Sequence, residues 1–176
     1  MSNIRIFYKK LVPEAKDPIK FHKTDLGFDL YAISKKETDK YIEYGTGLAF
    51  EIPEGFGGFV FPRSSVTKED LILKNSVGVI DPDYRGEIKF RYSKLIHNLF
   101  NFTSYSLYDP KINNFVDIPA LETKRMINEN EISLYDIGDR VGQIIILELP
   151  KVYLLESEDL SDTNRGSNGY GSTGKK

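Results

Sequence analysis

A carboxylate and an aromatic ring three residues apart, Asp81 and Tyr84, lie in the stretch Gly78-Val-Ile-Asp-Pro-Asp-Tyr-Arg-Gly-Glu87. At the tip of a turn the two can face one ligand, Asp81 holding a water and the Tyr84 ring covering a flat or apolar surface. Taken alone, Asp and Gly at this point are also explained by turn chemistry. In Phe61-Pro-Arg-Ser-Ser-Val66, Arg63 and the hydroxyls of Ser64 and Ser65 open a predicted short helix over Ser64 to Asp70. Outward N–H groups beside a fixed guanidinium suit a phosphate; the competing reading makes one serine an N-cap. The tail Arg165-Gly-Ser-Asn-Gly-Tyr-Gly-Ser-Thr-Gly174 offers backbone N–H groups, the hydroxyls of Ser172 and Thr173, a charge and one ring for stacking on a base. A Gly/Ser tail also serves as a plain linker. Asp29 heads a predicted strand, and Gln143 follows the turn Gly138-Asp-Arg-Val-Gly142 into another. Arg140 reads as an ion-pair or turn residue, and His22 and Asp25 as structural or surface residues without a partner.

Composition narrows the chemistry further. Zero Cys excludes a disulfide framework, a thiolate metal site and a cysteine nucleophile. The two His, at positions 22 and 97, do not make a zinc centre or a Ser-His-Asp triad. With Lys+Arg 24 against Asp+Glu 26, the basic excess of a nucleic-acid binder is missing. A polyanionic ligand must therefore meet locally placed cations, backbone N–H groups or a metal. The N-terminus has no apolar run of signal-peptide or membrane-spanning length, so the expectation is a soluble cytoplasmic protein that binds neither nucleic acid nor membrane.

Short apolar and β-branched runs must position these residues: Ile4–Tyr8, Leu30–Ile33, Thr46–Ile52, Phe56–Phe61, Val77–Ile80, Glu87–Tyr92, Gln143–Leu149 and Val152–Leu155. Each is bounded by Gly, Pro, Asn or Asp, the pattern of an all-β sandwich or barrel. Pro53-Glu54-Gly55 is a turn between two strands, and residues Val77 to Phe90 read as a hairpin with Asp81–Arg85 at its tip. Ser93 to Tyr135, rich in Asn, Tyr, Ser and Lys, reads as an insertion carrying a predicted helix from near Pro119 to Ile127. Phe100, Phe102, Tyr105, Tyr108 and Phe115 are too many rings for a disordered linker, so the insert is expected to fold as a small surface subdomain. Its rings suit a contact patch for a protein partner, or packing against the body. The domain reading is a β body over residues 1–155, containing the insert 93–135, and a mobile arm over 156–176 that lacks core residues.

Together the segments LGFDLYA, FPRSSV, NSVGVIDPDYRGEI, GDRVGQ and RGSNGYGSTG resemble the motifs of the trimeric dUTPase family, in the family's order. The resemblance covers residues 1 to 92 and 136 to 176. It implies a dUTPase-like jelly roll (β-clip) and a homotrimer whose active sites each draw motifs from all three chains. The implied activity is hydrolysis of dUTP to dUMP and pyrophosphate, which clears the nucleotide pool and supplies dUMP. Asp81 matches the carboxylate that activates the attacking water, and Gln143 a polar residue near that water and the phosphates. Tyr84 matches the ring that packs on deoxyribose and excludes a 2′-hydroxyl. Asn75, with the backbone at Gly78, Val79 and Ile80, matches the uracil-reading groups, and Lys89 a substrate-proximal position. Arg63, Ser64 and Ser65 match the phosphate-binding segment. Asp29 matches a carboxylate reaching Mg²⁺ through water. Arg165, Gly171, Ser172 and Thr173 match the γ-phosphate contacts, with Tyr170 at the stacking position. The sequence departs from the usual pattern at Asn168, where Gly is usual, at Tyr170, where Phe is usual, and at Val141-Gly142, where Ile-Ala is commoner.

Two other readings stand beside this one. The dCTP deaminases share the fold and the Arg-Ser-Ser segment, but their catalytic Glu and the Arg ending that segment fall here on Arg91 and Lys68. The insert and the HKTD sequence before Asp29 are similar to some bacteriophage dUTPases, whose relatives bind repressors. The alternative function is thus a regulatory binding protein acting on a repressor through residues 93–135, located in the host cytoplasm if the source is viral.

Overall fold

The computed structural model describes residues 4–95, 104–109, 111–119 and 133–169. A strand with one buried face alternates apolar and polar residues. In β9 (Lys89–Lys94) this sends Phe90 and Tyr92 inward and Lys89 and Arg91 outward. Ile42 and Tyr44 do the same in β4 (Ile42–Gly45), as do Leu71 and Leu73 in β7 (Leu71–Leu73). With β3 (Ser34–Glu37) they build a sheet in the order β3-β4-β9-β7. A second sheet runs β2 (Phe28–Tyr31), β12 (Arg140–Glu148), β6 (Phe56–Phe61), β8 (Gly78–Ile80), every pair in both sheets being antiparallel. Leu30, Val60, Val141 and Ile144 of this sheet join Tyr44, Phe90 and Tyr92 of the other in one buried core. Leu48 and Phe50 of β5 (Leu48–Glu51), which pairs with β1 (Phe7–Lys10), complete it. This is the all-β jelly-roll body that the sequence predicts.

Residues Val77 to Phe90 do not form a hairpin. β8 pairs with β6, whereas β9 pairs with β4 and β7, so the segment between them crosses from one sheet to the other. The crossing is fixed where the Ile88 N–H donates to the Leu48 carbonyl at 2.8 Å instead of across to β8. Asp81 to Tyr84 still make a turn, closed by Tyr84 N–H to the Asp81 carbonyl at 3.1 Å. Val152–Leu155 is not a strand in this chain either. Those side chains are exposed, Leu154 to 94%, and no strand among the described residues covers them. The β3 strand, SKKE, lies on a mostly exposed face and carries no apolar period to announce it. Gly142, where Ala is commoner, has its reason in Phe90: a Cβ there would lie 2.0 Å from the ring.

The ends of the predicted insert belong to the body. Ser93 and Lys94 extend β9 against β7, and Tyr135 is a core residue at 4% exposure. Both flanks meet at Asp70, whose carbonyl accepts from Leu95 N–H at 2.8 Å and whose N–H donates to the Ser133 carbonyl at 2.9 Å. Inside the segment, β10 (Ser104–Asp109) and β11 (Asn114–Pro119) pair as a hairpin with no ladder to another described strand. Pro119 thus ends a strand, and the rest of the predicted helix, to Ile127, lies outside the described residues.

Candidate active site

Asp29 leaves β2 with its carboxylate, 17% exposed, between two guanidiniums. Arg63 Nε and Arg140 Nη1 each donate to its Oδ2 at 3.0 Å, and Arg63 Nη1 donates to Ser65 Oγ at 3.1 Å. The first contact spans 34 residues and the second 111, so the tertiary fold assembles the cluster. Ser64–Lys68 is a single 3₁₀ turn whose N-cap position is Arg63, with no side-chain cap hydrogen bond. The capping reading of the serines therefore fails, and Ser65 Oγ accepts from Arg63 instead of capping the turn. The helix-dipole part of the phosphate argument weakens as well, because so short a turn aligns few peptide dipoles. Gln143, opposite Asp29 in the ladder, donates Nε2 to the Pro62 carbonyl at 3.1 Å. Its Oε1 occupies the space a Cβ at Gly27 would need, 2.2 Å away. Asp29, Arg63, Ser64, Arg140 and Gln143 line an open pocket of about 510 Å³. His22 and Asp25, read as partnerless, form a turn at its edge with His22 N–H donating to Asp25 Oδ2 at 2.8 Å.

A second groove, about 650 Å³, gathers Asn75, Val79, Ile80, Asp81, Tyr84 and Lys89. Gly78 lies behind it, where a Cβ would sit 3.2 Å from Asn75 Nδ2. Tyr84 is 44% exposed and its hydroxyl donates to the Glu87 carbonyl at 3.1 Å, which leaves the ring free to cover a ligand. Lys89 is not a loose cation: Nζ meets Glu43 Oε1 at 3.2 Å and Glu87 Oε2 at 3.4 Å, and the bond to Glu43 raises its pKa. Arg91, on the same outward face, donates Nε to Glu43 Oε2 at 2.7 Å and lies over the Tyr41 ring. Burial pushes the Glu43 pKa up, but the hydrogen bonds from Arg91 and Lys89 outweigh it and hold it below the ordinary value. Sequence reasoning missed Glu43. Its only signal was its outward position in the alternation of β4, opposite Arg91.

The two pockets share no lining residue. Register shows why: Ile80 pairs with Gly58 and Gly78 with Val60, so β8 carries Asp81 toward Gly57 while Arg63 lies past the other end of β6. From Gly57 to the end of β6 at Phe61 the strand alone separates the two levels by about 13 Å, and Pro62 and Arg63 continue beyond it. The described part of the arm, 151–169, is exposed, and Arg165 Nε donates to the Asn168 carbonyl of its own turn at 3.1 Å. In that turn the left-handed residue is Gly166, φ 53°, and Asn168 needs no positive φ. Tyr170, Gly171, Ser172 and Thr173 lie outside the described residues. Among the described residues no three His, Cys, Asp or Glu side chains form a metal cage, and no helix is long and apolar enough to cross a membrane.

The fold and site define an antiparallel β protein with one pocket that joins Arg63, Arg140 and Ser64 to Asp29, and a separate groove that joins Asp81 to the Tyr84 ring. The comparisons with known proteins narrow the class. The dUTPase family model matches residues 14–105. Relatives named deoxyuridine 5′-triphosphate nucleotidohydrolase include that of Corynebacterium diphtheriae, 34% identical over 94% of this chain and 90% of its own. That of Nautilia profundicola is 35% identical over 98% of this chain and 100% of its own. Among solved structures, the dUTPase of Staphylococcus bacteriophage 80alpha with dUPNHPP has a TM-score of 0.69 at 26% identity, covering 98% of this chain and 99% of that one. The chain belongs to the dUTPase family.

Proposed function

We propose that this chain is a dUTP diphosphatase, hydrolysing dUTP to dUMP and pyrophosphate in sites shared between copies of a homotrimer. The observation that carries the reading is the separation of Asp81 from Arg63 on one body. An Asp81-held water must reach a phosphorus of the same phosphate chain that Arg63 binds, and most of the length of β6 lies between them. A groove from one copy facing the pocket of another removes that gap. The exposed run Val152–Leu155 also leaves apolar surface for a neighbouring copy to cover.

In this reading Asn75 and the backbone of Gly78, Val79 and Ile80 read uracil, and Tyr84 packs on the deoxyribose. Asp81 takes a proton from the water as its oxygen bonds to the α-phosphorus in line with the departing pyrophosphate. Arg63, Ser64, Ser65 and Gln143 hold the phosphates, and Arg165, Gly171, Ser172 and Thr173 of the arm close on the γ-phosphate, with Tyr170 stacking on the base. Asp29 gives Oδ2 to two guanidiniums and would hold Mg²⁺ through water. When bound, Mg²⁺ neutralises phosphate charge that the near-neutral protein surface does not.

Pyrophosphate release measured across dUTP, dTTP, dCTP and UTP tests the activity: strong preference for dUTP is expected, and ammonia released from dCTP would overturn it. Sharing is tested by mixing Asp81→Asn chains with Arg63→Ala chains, each nearly inactive alone. Subunit exchange should restore turnover, since a fraction of sites then joins an intact groove to an intact pocket. A fully active monomer by light scattering sinks the trimer.

A second reading, regulation of a protein partner such as a repressor, is favoured by one observation, the β10–β11 hairpin that stands apart from both sheets. The phage 80alpha dUTPase is described as controlling transfer of virulence genes by a G-protein-like mechanism. Replacing residues 96–132 by a short Gly/Ser loop should leave dUTP hydrolysis and the trimer largely intact, because Leu95 and Ser133 are already held together at Asp70. A partner that binds through the insert should be lost by that variant and kept by Asp81→Asn. Loss of turnover in the folded loop variant would place the insert in the active site instead.

A further inference from the structure

The Tyr84 ring reaches its groove from an exposed turn, yet its far end is tied down. The phenol donates to the Glu87 carbonyl at 3.1 Å. Glu87 is in turn anchored by its own side chain: Oε1 accepts from the Gly47 N–H at 2.8 Å, 40 residues away in the chain, and Oε2 meets Lys89 Nζ at 3.4 Å. The next residue repeats the attachment. Ile88 N–H donates to the Leu48 carbonyl at 2.8 Å, and the Ile88 carbonyl accepts from Thr46 Oγ1 at 2.7 Å. Thr46 and Leu48 belong to the corner between β4 and β5 and are buried, so the acceptor of the Tyr84 phenol is stapled to the rigid body.

Two glycines leave room for this latch. At Gly45 a Cβ would lie 2.7 Å from Glu87 Oε1. At Gly86 a Cβ would lie 2.4 Å from the Tyr84 hydroxyl oxygen and 2.5 Å from Cζ. Gly86 has no positive φ, so what it supplies is space for the phenol rather than a turn.

We propose that Glu87 is a positioning residue that fixes the Tyr84 ring, and that Glu87 and Gly86 together set how strongly the groove rejects a ribose. The inference rests on the reading of Tyr84 as the ring that packs on deoxyribose. A ring held both by its turn and by its phenol cannot withdraw to admit a 2′-hydroxyl. A ring released at the phenol rotates away, and the cost of the extra hydroxyl falls. Glu87 thereby acts on the choice of sugar and not on the attacking water.

The test is the ratio of kcat/KM for dUTP to that for UTP. In Glu87→Ala it should fall about five- to tenfold, the worth of one ordinary hydrogen bond, with KM for dUTP raised and kcat little changed. The same ratio read by binding dUMP and UMP, without turnover, should fall in step. Glu87→Gln, which keeps an acceptor for the Gly47 N–H, should restore most of the discrimination. Gly86→Ala should lose it with the Glu87 anchor intact, because its methyl displaces the phenol, the mobile end of an exposed side chain. In a Tyr84→Phe background Glu87→Ala should cost nothing further, since the bond it supports is already gone. Parental discrimination in both Glu87→Ala and Gly86→Ala, or an undiminished loss in the Tyr84→Phe background, overturns the proposal. If Glu87→Ala does not fold, Gly86→Ala decides alone. A parent chain that does not prefer dUTP to UTP overturns the reading of Tyr84 itself, whereas a parent that prefers dUTP with variants that match it overturns only the roles of Glu87 and Gly86.

Discussion

Asp81→Asn should slow dUTP turnover by at least about two orders of magnitude while leaving the affinity for a non-hydrolysable dUTP analogue close to that of the parent. The amide has the shape of the carboxylate but cannot accept the proton of an attacking water. Asp81 is exposed at the mouth of its groove, at a turn closed by a backbone hydrogen bond from Tyr84 to its carbonyl, so the substitution removes no packing and no observed side-chain bond. Asn75 and Tyr84, on the same groove, stay in place to hold the nucleoside. Single-turnover pyrophosphate release and a titration with the analogue measure the two quantities separately. Near-parental turnover would remove Asp81 from the chemistry. A parallel collapse of analogue binding would make it a binding residue instead.

Ending the chain at Asp162 should lower turnover by about two orders of magnitude or more, a loss typical of removing charge-stabilising donors from a transition state. The thermal midpoint should stay where it is. Thr163 to Gly169, the described residues of the removed segment, are all exposed, and among the described residues Arg165 bonds within its own turn, so their loss uncovers no core. What it removes is chemistry: the Arg165 charge, Tyr170, and the hydroxyls of Ser172 and Thr173. The readouts are steady-state hydrolysis, calorimetry and light scattering on the same preparation. Undiminished hydrolysis would reduce the tail to a linker. A shifted midpoint or a dissociated trimer would assign it to assembly.

Local chemistry was legible in the chain itself. A turn residue such as Asp81 and a ring three positions on, or an Arg beside two serines, owe their proximity to covalent geometry, so spacing alone reveals them. The two-residue period in β9 likewise declares which of its side chains face the core, because successive residues of a strand point to opposite sides. Only the tertiary structure decided which strand lies beside which. The period of Val77 to Phe90 fits a hairpin as well as a crossover, and the crossover wins because β9 takes β4 and β7 as neighbours while β8 takes β6. The same non-local pairing brings Arg140 to Asp29 across 111 residues and Glu43 to Lys89 and Arg91. It also buries the Tyr135 ring against Tyr44 and Tyr92 and sets Asp81 and Arg63 toward opposite ends of β6. Periodicity specifies the face a residue takes, but the partner it meets there depends on how distant segments close upon each other, and no local pattern of residues encodes that closure.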